Sequence, residues 1–170
     1  MRSCHRPAAP GKAADVRPDH PRAGGPTLAA LVRFDLEVIS LASSPIRSSF
    51  VGVHFMRVWA TPGDGTSRAP EGRHRDGHDF VAAHPIRRYG CHGARSMVYD
   101  EATGEPAFGT ELEDPLDTLI LNDRRMEHDV GPLTATGTQG YRDTMIVDVE
   151  DIDRSPGAEA SRTGRTTAHR

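Results

Sequence analysis

Lysine is almost missing from this chain. Lys12 stands alone among 21 basic residues, so nearly all positive charge is arginine, a pattern that genomic base bias produces as readily as function does. Acids outnumber bases and the formal charge is −3, which argues against a general nucleic-acid role. The basic residues near the start (Arg2, Arg6, Lys12, Arg17, Arg22) are dispersed among Pro, Ala and Gly and read as a solvated tail. Cysteine is scarce too: Cys4 and Cys91 make no disulfide framework, and Cys91-His92, with no second half to a metal motif, reads as a loop detail. No N-terminal stretch resembles a signal-peptide core, and no apolar run is long enough to span a bilayer. The expectation is a reducing cytoplasm and no membrane. Nothing in the chain sets an oligomeric state.

Large apolar side chains are also few. The hydrophobic fraction is 36% and the aromatic fraction 5%, lean for a globular chain. The shortage is concentrated at the ends. Residues 1–25 and 151–170 carry too little apolar surface to offset their ordering entropy and are expected to be disordered tails. Residues 49–150 form the expected folded body, enough for one modest core. Between them, 26–48 is ambiguous: Leu28, Leu31, Val32, Leu36 and Ile39 fall near helical spacing, with Thr27 as N-cap, but Leu36 to Leu41 would also suit a strand.

Within the body, short β-rich runs alternate with turn chemistry. They are Phe50–Trp59, Phe80–Ile86, Ser96–Tyr99, Phe108–Leu112, Asp117–Leu121, Met126–Val130 and Tyr141–Val149. Arg87–Arg95 and Thr134–Gly140 read as loops. Pro85 should hold its strand at an edge or distort its end. With no helical crossover between strands, the fold class is all-β with minor α, a sandwich or jelly roll.

The chemistry centres on the stretch from Ala69 to Phe80. His74-x-Asp76 on extended backbone points two side chains the same way, about 7 Å apart at Cα. Both can converge on one ion, and a second His would complete a facial triad of the non-haem Fe(II) type. His128, far downstream, is the candidate. His78 is the rival ligand, since His74-x-x-x-His78 would suit a helix, although Gly77 and the strand that follows argue against one. His54, alone on a strand, reads as a structural hydrogen-bonder. Asp79 and Asp123 are candidates to steady the histidine rings. Arg142 opens the last strand with Thr144 on the same face; a guanidinium fork beside a hydroxyl is a natural clamp for a carboxylate.

Taken together, PEGRHRDGHDFV, MVYD, DPLDTLILNDRRMEH and GYRDTMIVDV resemble the bacterial Fe(II)/2-oxoglutarate dioxygenases that include the L-isoleucine dioxygenases. The likeness covers about residues 50–150. It implies a double-stranded β-helix, or jelly roll, that is short at its N-terminus. It also implies Fe(II) held by His74, Asp76 and His128, and 2-oxoglutarate held by Arg142 and Thr144, with O₂ as oxidant. The implied substrate is a small molecule, a free L-amino acid that is hydroxylated or sulfoxidised. Where the family has a Gly-Gly-Glu-Ser-like turn, this chain has Gly93-Ala94-Arg95-Ser96, and Arg95 in place of an acid is expected to alter substrate choice or local hydrogen bonding. Two other classes fit the bare residues: a cupin-like metal enzyme that does not use 2-oxoglutarate, and a non-catalytic jelly-roll remnant.

Overall fold

The computed structural model describes residues 25–43, 45–62 and 72–153. The expected tails, 1–25 and 151–170, lie almost wholly outside the described residues, as does most of the loop expected between Thr61 and Arg68. Helix α1 spans Pro26–Ala42. Gly25 is its N-cap, with φ −67° and ψ 162°, and Pro26 takes the first helical turn. Thr27 is therefore inside the helix and not its cap. Proline has φ already set and no N–H to satisfy, so it starts a helix well. The strand alternative for Leu36–Leu41 does not occur.

Among the described residues nine strands follow: β1 (Ser49–Ala60), β2 (Phe80–Tyr89), β3 (Cys91–Gly93), β4 (Ser96–Asp100), β5 (Pro106–Thr110), β6 (Leu119–Asn122), β7 (Met126–Val130), β8 (Leu133–Ala135) and β9 (Gly140–Asp151). They form a four-stranded sheet in the order β1-β9-β2-β6, a three-stranded sheet β5-β4-β7 and a small pair β3-β8, all antiparallel. This is the jelly-roll class. Two segments expected to be loops are in fact paired: β2 runs on to Tyr89, β3 follows at once, and β8 overlaps the start of the expected 134–140 loop. Three-residue strands show too little alternation to be read locally; the partner across the ladder makes them.

Period-two alternation along β9 sorts its side chains into two layers. Met145, Val147 and Val149 face α1, where they pack with Phe80, Ala82 and Ile39 and with the apolar stripe Leu28, Leu31, Val32 and Leu36. Arg142, Thr144, Ile146 and Asp148 face the other way. There Ile146 joins Val81, Leu121 and Val98 in a cluster that holds the two larger sheets face to face. The β3-β8 pair packs its own cluster of Ala94 and Leu133 against Ala60 and Val58 of β1, and so closes one end of the space between the sheets.

Pro85 lies in a strand with neighbours on both sides, yet it meets its expectation in detail. Pairing with β6 ends at Ala83, so Pro85 needs no donor on that side. Against β9, the register shifts between Pro85 and Arg87, leaving Ile86 as the extra residue of a bulge.

One polar contact ties the helix to the sheet. Asp35 of α1 and His84 of β2 are both buried, with Nε2 of His84 3.0 Å from Oδ2 of Asp35. The other ring nitrogen lies 3.1 Å from the Thr118 hydroxyl. Removing one partner strands a buried charge, which costs about 3–5 kcal/mol. His84→Ala should therefore lower the thermal midpoint strongly, and Asp35→Leu combined with His84→Leu should recover much of the loss. A His84→Ala protein that melts like the parent would show that the pair does not anchor α1.

Candidate metal centre

The segment after the undescribed loop adds itself to the edge of the three-stranded sheet. His74 and His128 face each other across an isolated antiparallel bridge. The N–H of His74 donates to the carbonyl of His128 at 2.9 Å, and the N–H of His128 donates back at 2.8 Å. Residues paired in this way stand side by side on one face, and the two rings lie 4.5 Å apart at their centroids. Val98 of β4 is register partner to His128 and belongs to the cluster between the sheets, so that face is the interior.

Alternation then assigns the rest of Arg73-His74-Arg75-Asp76. Arg73 and Arg75 point outward. Arg73 pairs with Glu127 at 2.5 Å, lies over the ring of Tyr99 and donates to the Gly104 carbonyl; Arg75 pairs with Glu101 at 2.8 Å. His74 and Asp76 point inward. Oδ1 of Asp76 is 3.2 Å from Nε2 of His74, and Oδ2 is 3.6 Å from Nε2 of His128. One donor atom from each of the three residues lies within 4.8 Å of the others, and among the described residues this is the group so placed. An ion with bonds of about 2.1 Å to adjacent ligands separates them by about 3 Å, close to the shorter of these spacings.

Hydrogen bonding supports the fit. Nδ1 of His74 lies 2.7 Å from the Gly72 carbonyl, which can only accept, so Nδ1 carries a proton and the neutral ring is the Nδ1–H tautomer, with Nε2 turned to Asp76. In that tautomer Nε2, 3.2 Å from Oδ1 of Asp76, is the nitrogen that can share an ion with the carboxylate. His128 is partly buried, and its pKa is lowered mainly by that burial and also by His74, against an opposing pull from Asp76. The neutral imidazole is the form that binds metal.

Asp123 is fully buried and organises the turn. Its Oδ1 accepts from the N–H of Asp76 at 3.2 Å, and its Oδ2 from Gly77 at 2.7 Å and His78 at 3.0 Å. Gly77 makes this possible with φ 91°, a conformation that side chains rarely adopt. Nδ1 of His128 is buried with no hydrogen-bond partner, and Oδ1 of Asp123 is 3.8 Å away. Asp79 is also buried but turns elsewhere, to Arg124 and to the N–H of Asp151. His78 stays outside the cluster, 3.0 Å from Glu150 and 3.7 Å from Asp148. His54 pairs with Asp148 at 2.8 Å. The Cys91 thiol donates to the Tyr141 carbonyl. Arg95 donates to the Gly109 carbonyl, and Ala94 beside it takes φ 58°, a conformation that favours glycine.

Arg142 and Thr144 are buried on the interior row of β9. Burial, reinforced by Arg88, lowers the pKa of Arg142, and its Nε has no hydrogen-bond partner. Among the described residues no carboxylate forms an ion pair with it. The roles of Arg73 and Arg75 as outward anchors escaped the sequence reading, although the alternation that assigns them was already visible there.

The 2OG-Fe dioxygenase family model matches residues 20–148, and the chain belongs to that family. Among solved structures, the chain is similar to a bsmA homolog from Methylobium petroleophilum PM1, at 28% identity and TM-score 0.66 over 79% of this chain and 55% of that one. It is also similar to IDO from Bacillus thuringiensis, at 23% identity and TM-score 0.62 over 75% and 62%. The Fe(II)/α-ketoglutarate-dependent dioxygenase TqaL matches at 17% identity and TM-score 0.58 over 72% and 52%. The last two likenesses show the fold alone. The chain spans between about half and five-eighths of the length of these proteins. No curated protein matches the chain.

Asp123→Asn keeps the size of the side chain but sets an N–H against N–H donors of the turn. It should weaken Mn(II) affinity by roughly 10–100-fold, the range typical of outer-shell changes. His78→Ala should leave affinity within about twofold, since only outer contacts are lost. Calorimetric titration of both variants checks the pair; a weak His78→Ala beside an unaltered Asp123→Asn would reverse the assignment.

Proposed function

We propose that this protein is an Fe(II)- and 2-oxoglutarate-dependent dioxygenase in which His74, Asp76 and His128 hold the metal. The observation that carries the reading is the donor set facing the interior: one imidazole nitrogen from each histidine and one carboxylate oxygen within 4.8 Å of one another. A facial set of this kind leaves coordination positions open for a chelating keto acid and O₂. The bound group would supply the oxidising power, one oxygen atom going to the substrate and the other to the keto acid, which leaves as succinate and CO₂.

The chain's own residues do the holding. Arg73 and Arg75, clamped outside, keep His74 and Asp76 inward. Asp123 fixes the turn at Asp76. Arg142 donates to the distal carboxylate of 2-oxoglutarate and Thr144 adds a hydroxyl; the buried, unpartnered Nε of Arg142 supports this role. The substrate class we propose is a free L-amino acid, hydroxylated or sulfoxidised, on the motif resemblance to the L-isoleucine dioxygenase branch. A nucleic-acid role is disfavoured by the net charge, and the scarce cysteines favour a cytoplasmic setting.

Anaerobic titration of the Fe(II)-loaded protein with 2-oxoglutarate tests the proposal. A charge-assisted hydrogen bond contributes about 1.5–3 kcal/mol, so Arg142→Ala should weaken 2-oxoglutarate binding by roughly 10–100-fold. Arg142→Lys, which keeps the charge without the fork, should fall between the two. Metal affinity should be unchanged in both. A parent protein that binds metal but no 2-oxoglutarate would favour a cupin-like enzyme instead.

A further inference from the structure

The closed end of the interior holds a second guanidinium. Arg88 of β2 is the direct register partner of Arg142 of β9, and Val58 of β1 flanks Arg142 on the other side. Directly opposed residues share a face, so Arg88 also points inward. Its fork is fixed on two carbonyls: Nη1 donates to Leu112 at 3.1 Å and Nη2 to Gly93 at 2.5 Å. Carbonyls orient a cation but leave its charge in place. Among the described residues no carboxylate pairs with Arg88 or with Arg142.

Two like charges opposite each other on a ladder repel, and a buried unpaired cation is costly. The surroundings are apolar, with Val58, Cys91, Ala60 and Leu133 forming the cluster at this end. The group that relieves such a site is an anion small enough to reach Arg142 between the sheets. We propose that Arg88 is the second cation of a closed-end carboxylate site: immobilised on the Leu112 and Gly93 carbonyls, it strengthens binding at Arg142 by charge and without direct contact. The inference rests on the reading of Arg142 as the cosubstrate clamp and adds a positioning residue to it. It also makes the site responsive to dicarboxylates before any metal is bound.

The test uses the full chain with Arg88→Gln and Arg88→Met, both neutral, and Arg88→Lys, which keeps the charge. In Mn(II)-loaded protein, the neutral variants should bind 2-oxoglutarate about tenfold more weakly, while Arg88→Lys stays within roughly threefold of the parent. The dependence of affinity on NaCl should flatten in the neutral variants, a change that a merely structural role would not produce. Metal affinity without 2-oxoglutarate should hold. In metal-free protein, glutarate should raise the thermal midpoint of the parent and of Arg88→Lys but not of the neutral variants. If folded neutral variants bind 2-oxoglutarate like the parent, or Arg88→Lys is as weak as they are, the inference is overturned while the dioxygenase reading stands. If the parent binds no 2-oxoglutarate yet glutarate still stabilises it through Arg88, that reading falls and the anion site remains.

Discussion

Two backbone hydrogen bonds organise the candidate metal centre: those that His74 and His128 exchange. They join a segment of irregular chain to a regular strand, and in doing so put two imidazoles on one face at a fixed spacing. Everything else at the centre follows from that register. Asp76 comes inward because it is two residues on, and Arg73 and Arg75 go outward because they alternate with it. A slip of one residue would turn both His74 and Asp76 away from the interior.

Register alone would leave the carboxylate loose, since the chain must leave the sheet immediately after it. Asp123 prevents this by gathering three successive N–H groups into one buried carboxylate. The sheet thus sets direction, while the capped turn sets depth. Arg142 belongs to the opposite sheet and depends on neither, so the proposed metal and carboxylate sites are built on separate elements. That separation is why variants at one site can be expected to leave the other intact.

The sequence was legible where a pattern is local. Alternation in Tyr141–Val149 and Phe50–Trp59 marked long strands, and His74-x-Asp76 showed two side chains that would share a face. His128 and Arg142 were visible through motif order and strand position, and the structure brings His128 to the other two. What was not legible depends on partners distant in sequence. β3 and β8 exist because they pair with each other, and nothing within three residues announces that. Asp79 and Asp123 looked equivalent as acids; only the tertiary path of the chain sends one to Arg124 and the other to the turn. At α1, the proline displaced the threonine that composition favoured as a cap.

The bulge at Ile86 acts on the chain much as a frameshift acts on a message. Upstream of it, β2 is in one phase with β9; downstream, in the other. Arg87 and Arg88 are adjacent and chemically identical, and the single uncounted residue decides which is sent inside. With it, Arg87 opposes Asp143 and Arg88 opposes Arg142. Were Ile86 paired rather than bulged, it would oppose Asp143 and bring Arg87 opposite Arg142, so the side chain sent inside is set by the bulge and not by the identity of residue 86.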